Sequence, residues 1–501
     1  MSLRLEHATD TGAEITSGRT REGTRGHPPC TCPRLGNGLR ADSWEDGSVR
    51  ASRNPQPAGR ADARALDRSI LTLAVPAFGA LVAEPLFLLT DTALVGHLGD
   101  TALAGLGVAA TILHTIVGIM VFLAYTTTPV VARLLGSGNR PGAIRAGIEG
   151  MWLAAFCGLV LLIVGLPLSA PLVGVFTSDP GAIDAANTYL SLSLWGLPAM
   201  LLVIAAMGLL RGLQNTKVPL VVAIAGFAVN GGLNAVFIYG FGWGIAGSAL
   251  GTVIAQWGMA IVYIVIAVRA GRELGVSLRP GIGDPRTVFS ANAFMVLRTL
   301  TLRASLVVLV WAAGQQGVAE LASLQILLSV NSLIAFTLDA LAIAGQAMVG
   351  HALGAGDTKR VTAISRRLKQ WGFWFGVILA VVFAALAWVL GYVFTSDTAV
   401  LSLLPVGFLI LAAGTPIAGF VYVLDGILIG AGDVRYLALA GIPPLLVLVV
   451  GVTVVLQLGM QGAAGLGVLW ASFAVGTMGA RALVLGARER GTKWLVPGAA
   501  R

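Results

Sequence analysis

Charge is scarce in this chain, and so is cysteine. Asp, Glu, Lys and Arg make up 11% of the 501 residues, against 56% hydrophobic ones. The mean hydropathy is +0.84, whereas soluble globular domains carry about 25% charged residues. So few charges cannot clothe so much apolar surface in water, which excludes a soluble globule and leaves a polytopic membrane protein. Alternating segments of roughly ten residues are also missing, which excludes an outer-membrane barrel. The expected fold class is all-α, spanning the bilayer many times. Three cysteines, Cys30, Cys32 and Cys157, are too few for a disulfide framework. Cys30 and Cys32, with His27 nearby, lack a fourth ligand and read as part of a tail, so no metal or cofactor is expected. Walker A, HExxH and GxSxG motifs are absent. The chain does not read as an enzyme.

The net charge of +9 is not a polyanion-binding patch, because it is dispersed. Beyond residue 68 the Lys and Arg residues gather in short connections and at the C-terminus, with Arg298 and Arg303 standing out inside an apolar segment. Nucleic acid is therefore not an expected partner. The lipid bilayer and a small-molecule substrate are, with the protein working as a monomer. Residues 1–68 have the Arg-, Gly-, Ser- and Pro-rich composition of disorder and no apolar core of a signal peptide.

Twelve apolar segments follow, at 69–96, 103–132, 147–175, 185–209, 217–239, 246–268, 287–314, 321–350, 370–394, 400–428, 436–457 and 463–486. Each is near or above the roughly 20 residues a helix needs to cross. Connections such as "RLLGSGNRPGAIR", "RGLQNTK" and "GAGDTKRVTAISRRLK" are basic, and they alternate with "GHLGDT", "FTSDPGAID" and "FTSDTAV", which hold no Lys or Arg. The positive-inside rule puts the basic set and both termini on the cytoplasmic side of the cell membrane. The expected organisation is a tail (1–68), six helices (69–268), a cytoplasmic linker (269–286), six more helices (287–486) and a C-terminal tail (487–501).

The two sets of six are copies. "FTSD" begins at residue 176 and again at 394, 218 positions on. In that register, without a gap, Gly136 meets Gly354, Gly196 and Pro198 meet Gly414 and Pro416, Gly212 meets Gly430, and Gly247 meets Gly465. Parallel halves related by an axis along the membrane normal are a transporter architecture. "GWGIAG" matches GxGxxG, yet two of its glycines recur in the second copy, so it reads as a tight turn and close packing.

The intramembrane acids break the repeat. Asp91 corresponds to Leu309, Glu84 to Leu302, Asp339 to Val121 and Asp425 to Met207. A carboxylate in hydrocarbon costs at least about 2.5 kcal/mol, so these side chains serve something only one half does. Glu84 and Asp91, seven apart, share a helix face, and protons or Na⁺ are the natural ligands; the alternative is a pair of polar anchors near the outer interface. Asn230 and Asn234 lie one turn apart on the fifth segment, as ion-site partners or as interhelical glue. Asp339 has Gln346 on its own face. Asp425 sits near the cytoplasmic end of the tenth segment, where a helix-end role and a cavity role are both open, and Arg298 and Arg303 need acids that Asp339 or Asp425 would supply. The isolated histidines, His97, His114 and His351 among them, read as structural.

Together, "EPLFLLTDTALVGHLG", "VVARLLGSGN", "GLLRGLQNTKVPL", "LNAVFIYGFGWGIAGSALGTVIAQ", "LDALAIAGQAMVGHALGAGD" and "LDGILIGAGD" resemble the MATE (multidrug and toxic compound extrusion) family, nearest the branch of DNA-damage-inducible protein F. The resemblance spans residues 69–486. It implies two six-helix lobes around a cleft and H⁺- or Na⁺-driven antiport of small organic, often cationic or drug-like, solutes; the alternative is a lipid or polysaccharide-precursor flippase of the same superfamily. It also implies a coupling site at Asp91 with Asn230 and Asn234, and a first-helix bend at Pro76. Members of that branch often carry Asp where this chain has Asn234, which removes one titrating group.

Overall fold

The repeated loop motifs fold as turns that start helices. In "LLGSGN" and "ALGAGD", Gly138 and Gly356 take φ of 81° and 73°, a left-handed conformation that glycine adopts without strain. The next residue then caps a helix: Asn139 accepts from the Gly142 amide and Asp357 from the Arg360 amide, both at 2.9 Å. Asp179 and Asp397 of the two "FTSD" motifs do the same for Ala182 and Ala399, each at 2.8 Å. Such caps contribute about 1 kcal/mol each. What recurs in the sequence is thus largely the punctuation between helices.

The computed structural model describes residues 60–281 and 285–498. The Cys30–Cys32 pair and His27 lie outside them, and so does the side chain of Glu84. The described residues hold eleven long apolar helices and one bent pair, twelve spans as the sequence predicts. They are α1 (Arg60–Gly96), α2 (Asp100–Gly136), α3 (Arg140–Phe176), α4 (Pro180–Leu194 with Leu197–Gly212), α5 (Lys217–Gly240), α6 (Gly244–Glu273), α7 (Pro285–Gly314), α8 (Val318–Gly354), α9 (Thr358–Leu386), α10 (Thr398–Gly430), α11 (Val434–Gln457) and α12 (Gly462–Arg490). The halves of α4 meet at 52°, at the turn where Gly196 and Pro198 interrupt helical hydrogen bonding. Helix α1 runs unbroken through Pro76 and Pro85. Helix α6 continues through Glu273, into residues expected to be linker.

Where the two halves touch is decided by glycine. Gly136 at the end of α2 lies on the backbone of His351, and its repeat partner Gly354 at the end of α8 lies on the backbone of Arg133, itself the repeat partner of His351. A methyl group at either glycine would collide with main chain. The pseudo-twofold axis therefore passes through this crossing, at the end of the molecule that carries the basic loops. Around it one hydrophobic core joins the halves, including Val131, Leu201 and Leu209 from the first and Leu341, Leu353 and Leu428 from the second. Toward the opposite end the buried residues separate into two cores. One holds Leu106, Leu190 and Leu197 of the first half; the other holds Leu309, Phe408 and Trp470 of the second. The molecule is closed at the basic end and divided at the other.

The crossing makes a prediction. Gly136→Leu should hold the halves apart at the basic end, so a cysteine introduced at the buried Ala352 should react with a maleimide several-fold faster. Equal labelling rates with and without the leucine would show that the crossing does not close the cleft.

Outward, the helices present apolar side chains, with Phe156, Ile163 and Val175 of α3 exposed as lipid contacts. Tyr239, Trp243, Trp388 and Tyr392 are exposed near the helix ends remote from the basic loops, where aromatic rings suit the headgroup boundary.

The tail expected over 1–68 is shorter than its composition suggested, since α1 begins at Arg60. Asp67 accepts from Arg367 Nη2 at 2.6 Å and from the Trp371 indole at 2.9 Å, tying α1 to α9 of the other half. The pair is partly exposed, so Arg367→Ala should cost at most about 1 kcal/mol in thermal unfolding. A larger loss would make this link a principal clamp between halves.

Candidate ion site and cavities

Asp91 is 2% exposed near the end of α1 remote from the basic loops, and three neighbours donate to it. Its Oδ1 accepts from the Ser248 hydroxyl at 2.6 Å and the Asn234 amide at 2.8 Å, while Oδ2 accepts from the Tyr189 hydroxyl at 3.1 Å. Asn234 also donates to Asn230 Oδ1 at 3.2 Å, and Asn230 donates to Thr252 at 3.0 Å. The chain Asp91–Asn234–Asn230–Thr252 thus crosses α1, α5 and α6. Every member is buried, and a carboxylate away from water persists when its lone pairs are met in this way. One acceptor is left over: Asn234 Oδ1 is buried with no hydrogen-bond partner among the described residues, in space that Gly251 leaves open.

The sequence-derived trio of Asp91, Asn230 and Asn234 is brought together. Tyr189, Ser248 and Thr252 were missed, although a signal existed. Their repeat partners are Gly407, Leu466 and Trp470, so each is polar in one half only. Ser248 and Thr252 are also four apart, on one face of α6.

Asp91, Asn230 and Thr252 line a cavity of 260 Å³ in the first half, together with Tyr125, Tyr189, Arg211 and Asp339. His114, expected to be structural, also lines it. Asp339 reaches this cavity from α8 of the second half, where Arg211, Asp425 and Arg298 are the charges that act on it. Gln346, expected to work with Asp339, does not: both its amide atoms are buried without partners among the described residues, where α8 crosses α10 at Gly430.

Asp425 is no helix-end acid. Its Oδ2 accepts from Arg298 of α7 and from Arg481 of α12, the latter at 2.8 Å, with all three side chains nearly buried. The guanidinium of Arg298 also lies 5.7 Å above the ring of Tyr125, across the cleft. This settles one expected pairing and overturns another: Arg298 pairs with Asp425, whereas Arg303 has no acid partner among the described residues. Arg481 lies inside the twelfth span and not in a connection, so it joins Arg298 and Arg303 as an intramembrane cation.

At the basic end, Arg133 is 2% exposed and donates to Ala431 O of the second half at 2.7 Å. It also donates to Val496 O and Gly498 O of the C-terminal segment, at 3.0 and 3.2 Å. The same segment returns a bond from Gly498 N to Leu353 O at 3.0 Å, so it lies across both halves where they meet.

Comparison with known proteins agrees with this architecture. The MatE family model matches the chain twice, over residues 76–239 and 295–455, reproducing the internal repeat to within two residues. Protein DETOXIFICATION 43 of Arabidopsis thaliana is 30% identical over 432 residues, covering 74% of this chain and 81% of the relative. The Vibrio cholerae MATE transporter VcmN in its bent form superposes with a TM-score of 0.77 at 20% identity, covering 86% of this chain and 98% of that one. A MOP superfamily transporter from Pyrococcus furiosus, described as having a binding pocket of reverse polarity, gives 0.77 at 19% identity, covering 85% and 96%. The chain belongs to the MatE family, a multi-pass membrane transporter of the multidrug and toxic compound kind with the two-lobe fold, and not an enzyme.

Proposed function

We propose that the protein is a cation-coupled antiporter that exports small organic solutes across the cytoplasmic membrane as a single chain, and that Asp91 takes up the coupling ion. The observation that carries this is the set of three neutral donors on one buried carboxylate, in one half of a duplicated scaffold. Two of the donors are hydroxyls, which can turn and accept when the carboxyl gains a proton. That supports H⁺ in preference to Na⁺, although the spare Asn234 oxygen suits either ion. The quoted motifs support a place near the DNA-damage-inducible protein F branch.

Coupling requires the ion to favour one arrangement of the halves, since a ligand with equal affinity for both shifts nothing. Asp91 lies on α1, which contacts the second half through Ala77 and Leu81 against Ala340 and Ile343. A shift of α1 on protonation, with Pro76 next to Ala77, would therefore be felt at that contact.

Vesicles reconstituted with the purified protein and loaded with a fluorescent organic solute test the reading. An imposed proton gradient should drive solute against its own gradient, and collapsing it with a protonophore should stop movement. Drive by a Na⁺ gradient alone would reassign the ion, and no drive by either would overturn the function. Asn234→Asp should leave transport running with its pH profile displaced toward higher pH, because two adjacent carboxylates hold one proton between them. An unchanged profile would separate Asn234 from the site.

A further inference from the structure

The second half has a cavity of its own, of 390 Å³, and it is the repeat image of the first. Ala110, Leu113, His114, Ile204, Met259 and Tyr263 line the first cavity. Their partners 218 residues on, Leu328, Asn331, Ser332, Tyr422, Thr477 and Arg481, all line the second. One scaffold thus presents two equivalent chambers whose charges have diverged. The first is lined by Asp91 and Asp339, with Arg211. The second is lined by Arg303 and Arg481 and, among the described residues, by no carboxylate.

Arg481 is already satisfied by Asp425. Arg303 is not: it is exposed to the cavity, and no described side chain forms an ion pair or hydrogen bond with it. Its guanidinium rests against Gly118 on α2 of the other half, where a side-chain methyl would collide with it. The repeat partner of Gly118 is Phe336, so room for this arginine exists on one side only. A cation at this depth costs at least about 2.5 kcal/mol unless something anionic meets it. The amide of Asn331 also lines the chamber without a hydrogen-bond partner among the described residues, and the rest of the wall is largely apolar, with Leu306, Leu338 and Phe473.

We propose that Arg303 recognises the carboxylate of an amphiphilic organic anion, whose apolar body fills the second-half cavity. The guanidinium fork matches a carboxylate in two parallel hydrogen bonds. The cavity volume lies within the roughly 300–1,000 Å³ of small-molecule pockets. The inference rests on the transporter reading and gives its substrate class, which differs from the cationic solutes the family resemblance implies. Coupling ion and substrate then occupy image-related chambers in opposite halves.

Three probes of one shape test this: 2-naphthoate, neutral 2-naphthamide and cationic 2-naphthylmethylammonium, each titrated into the purified full-length protein in lipid nanodiscs. Naphthoate should bind about tenfold more tightly than the amide, as expected of a charge-assisted pair, and the ammonium more weakly than either. Arg303→Gln should remove the preference for naphthoate over the amide while leaving amide binding measurable, which shows that the variant is folded. Arg303→Lys should restore part of the preference. Asp91→Asn should still bind naphthoate at equilibrium yet fail to accumulate it in vesicles, so loss of coupling is distinguished from loss of recognition. Equal binding of carboxylate and amide, tightest binding of the ammonium, or a preference that survives Arg303→Gln would overturn the assignment, even with ion-driven transport intact.

Discussion

Asp91→Asn should abolish gradient-driven transport while leaving an inserted, folded protein. Asparagine is nearly isosteric with aspartate, and its oxygen still accepts from Ser248 and Asn234, while the Tyr189 hydroxyl can turn to accept from the new amide. What disappears is the exchangeable proton. Counterflow measured in vesicles should fall to that of protein-free vesicles, while the detergent-solubilised protein keeps its elution volume and comes within a few degrees of the wild-type unfolding temperature. Transport at the wild-type rate would remove Asp91 from the mechanism. A collapse of folding would make the hydrogen-bonded cage structural instead.

The second large effect is on stability. Asp425 is the ion-pair partner of both Arg298 and Arg481 among the described residues, and the side chains of the three are only 11%, 9% and 10% exposed. Removing one partner of a buried ion pair leaves an uncompensated charge, which costs about 3–5 kcal/mol. Asp425→Ala strands two such charges, and should leave little folded protein after extraction, with a strongly lowered unfolding temperature. Replacing all three together, with Asp425→Leu, Arg298→Met and Arg481→Met, should recover much of the loss, because the cost lies in the unpaired charges and not in the absence of ions. Asp425→Ala unfolding at the wild-type temperature would mean that water reaches the arginines.

Much of this molecule can be read from its sequence, for physical reasons. Hydrocarbon imposes long apolar runs, so twelve spans stand out, and the duplicated turns stand out because Gly138 and Gly356 need left-handed backbone and Asn139 and Asp357 must cap helices. Asp91 was legible because an acid is rare in such a segment. Ser248 and Thr252 were not, since a single Ser or Thr hydroxyl in a membrane helix commonly bonds its own backbone, as Ser323 and Thr415 do here; Tyr189 was not, since a lone tyrosine in an apolar segment reads as a packing residue. Their loss in the second copy, and for Ser248 and Thr252 a shared helix face, is what marks them. Pairings were illegible for a different reason: the side chains of Arg298 on α7 and Asp425 on α10 meet only in the tertiary fold, which spacing along one chain does not encode. Gln346 shares a helix face with Asp339 but is held at another crossing. The start of α1 at Arg60 escaped notice because a helix continues past the apolar stretch that anchors it.

The central claim is that ion binding at Asp91 moves the halves relative to one another. Asp100 and Val318 are repeat partners, both exposed, each at the first residue of a helix at the end where the hydrophobic core is divided. Spin labels at these two positions, in protein reconstituted in lipid, report that separation directly by pulsed electron double resonance. The account predicts two distance populations whose ratio changes with pH, and in Asp91→Asn a single ratio at every pH. A distribution independent of pH in protein that pumps, or one in Asp91→Asn that responds as the wild type does, would contradict it.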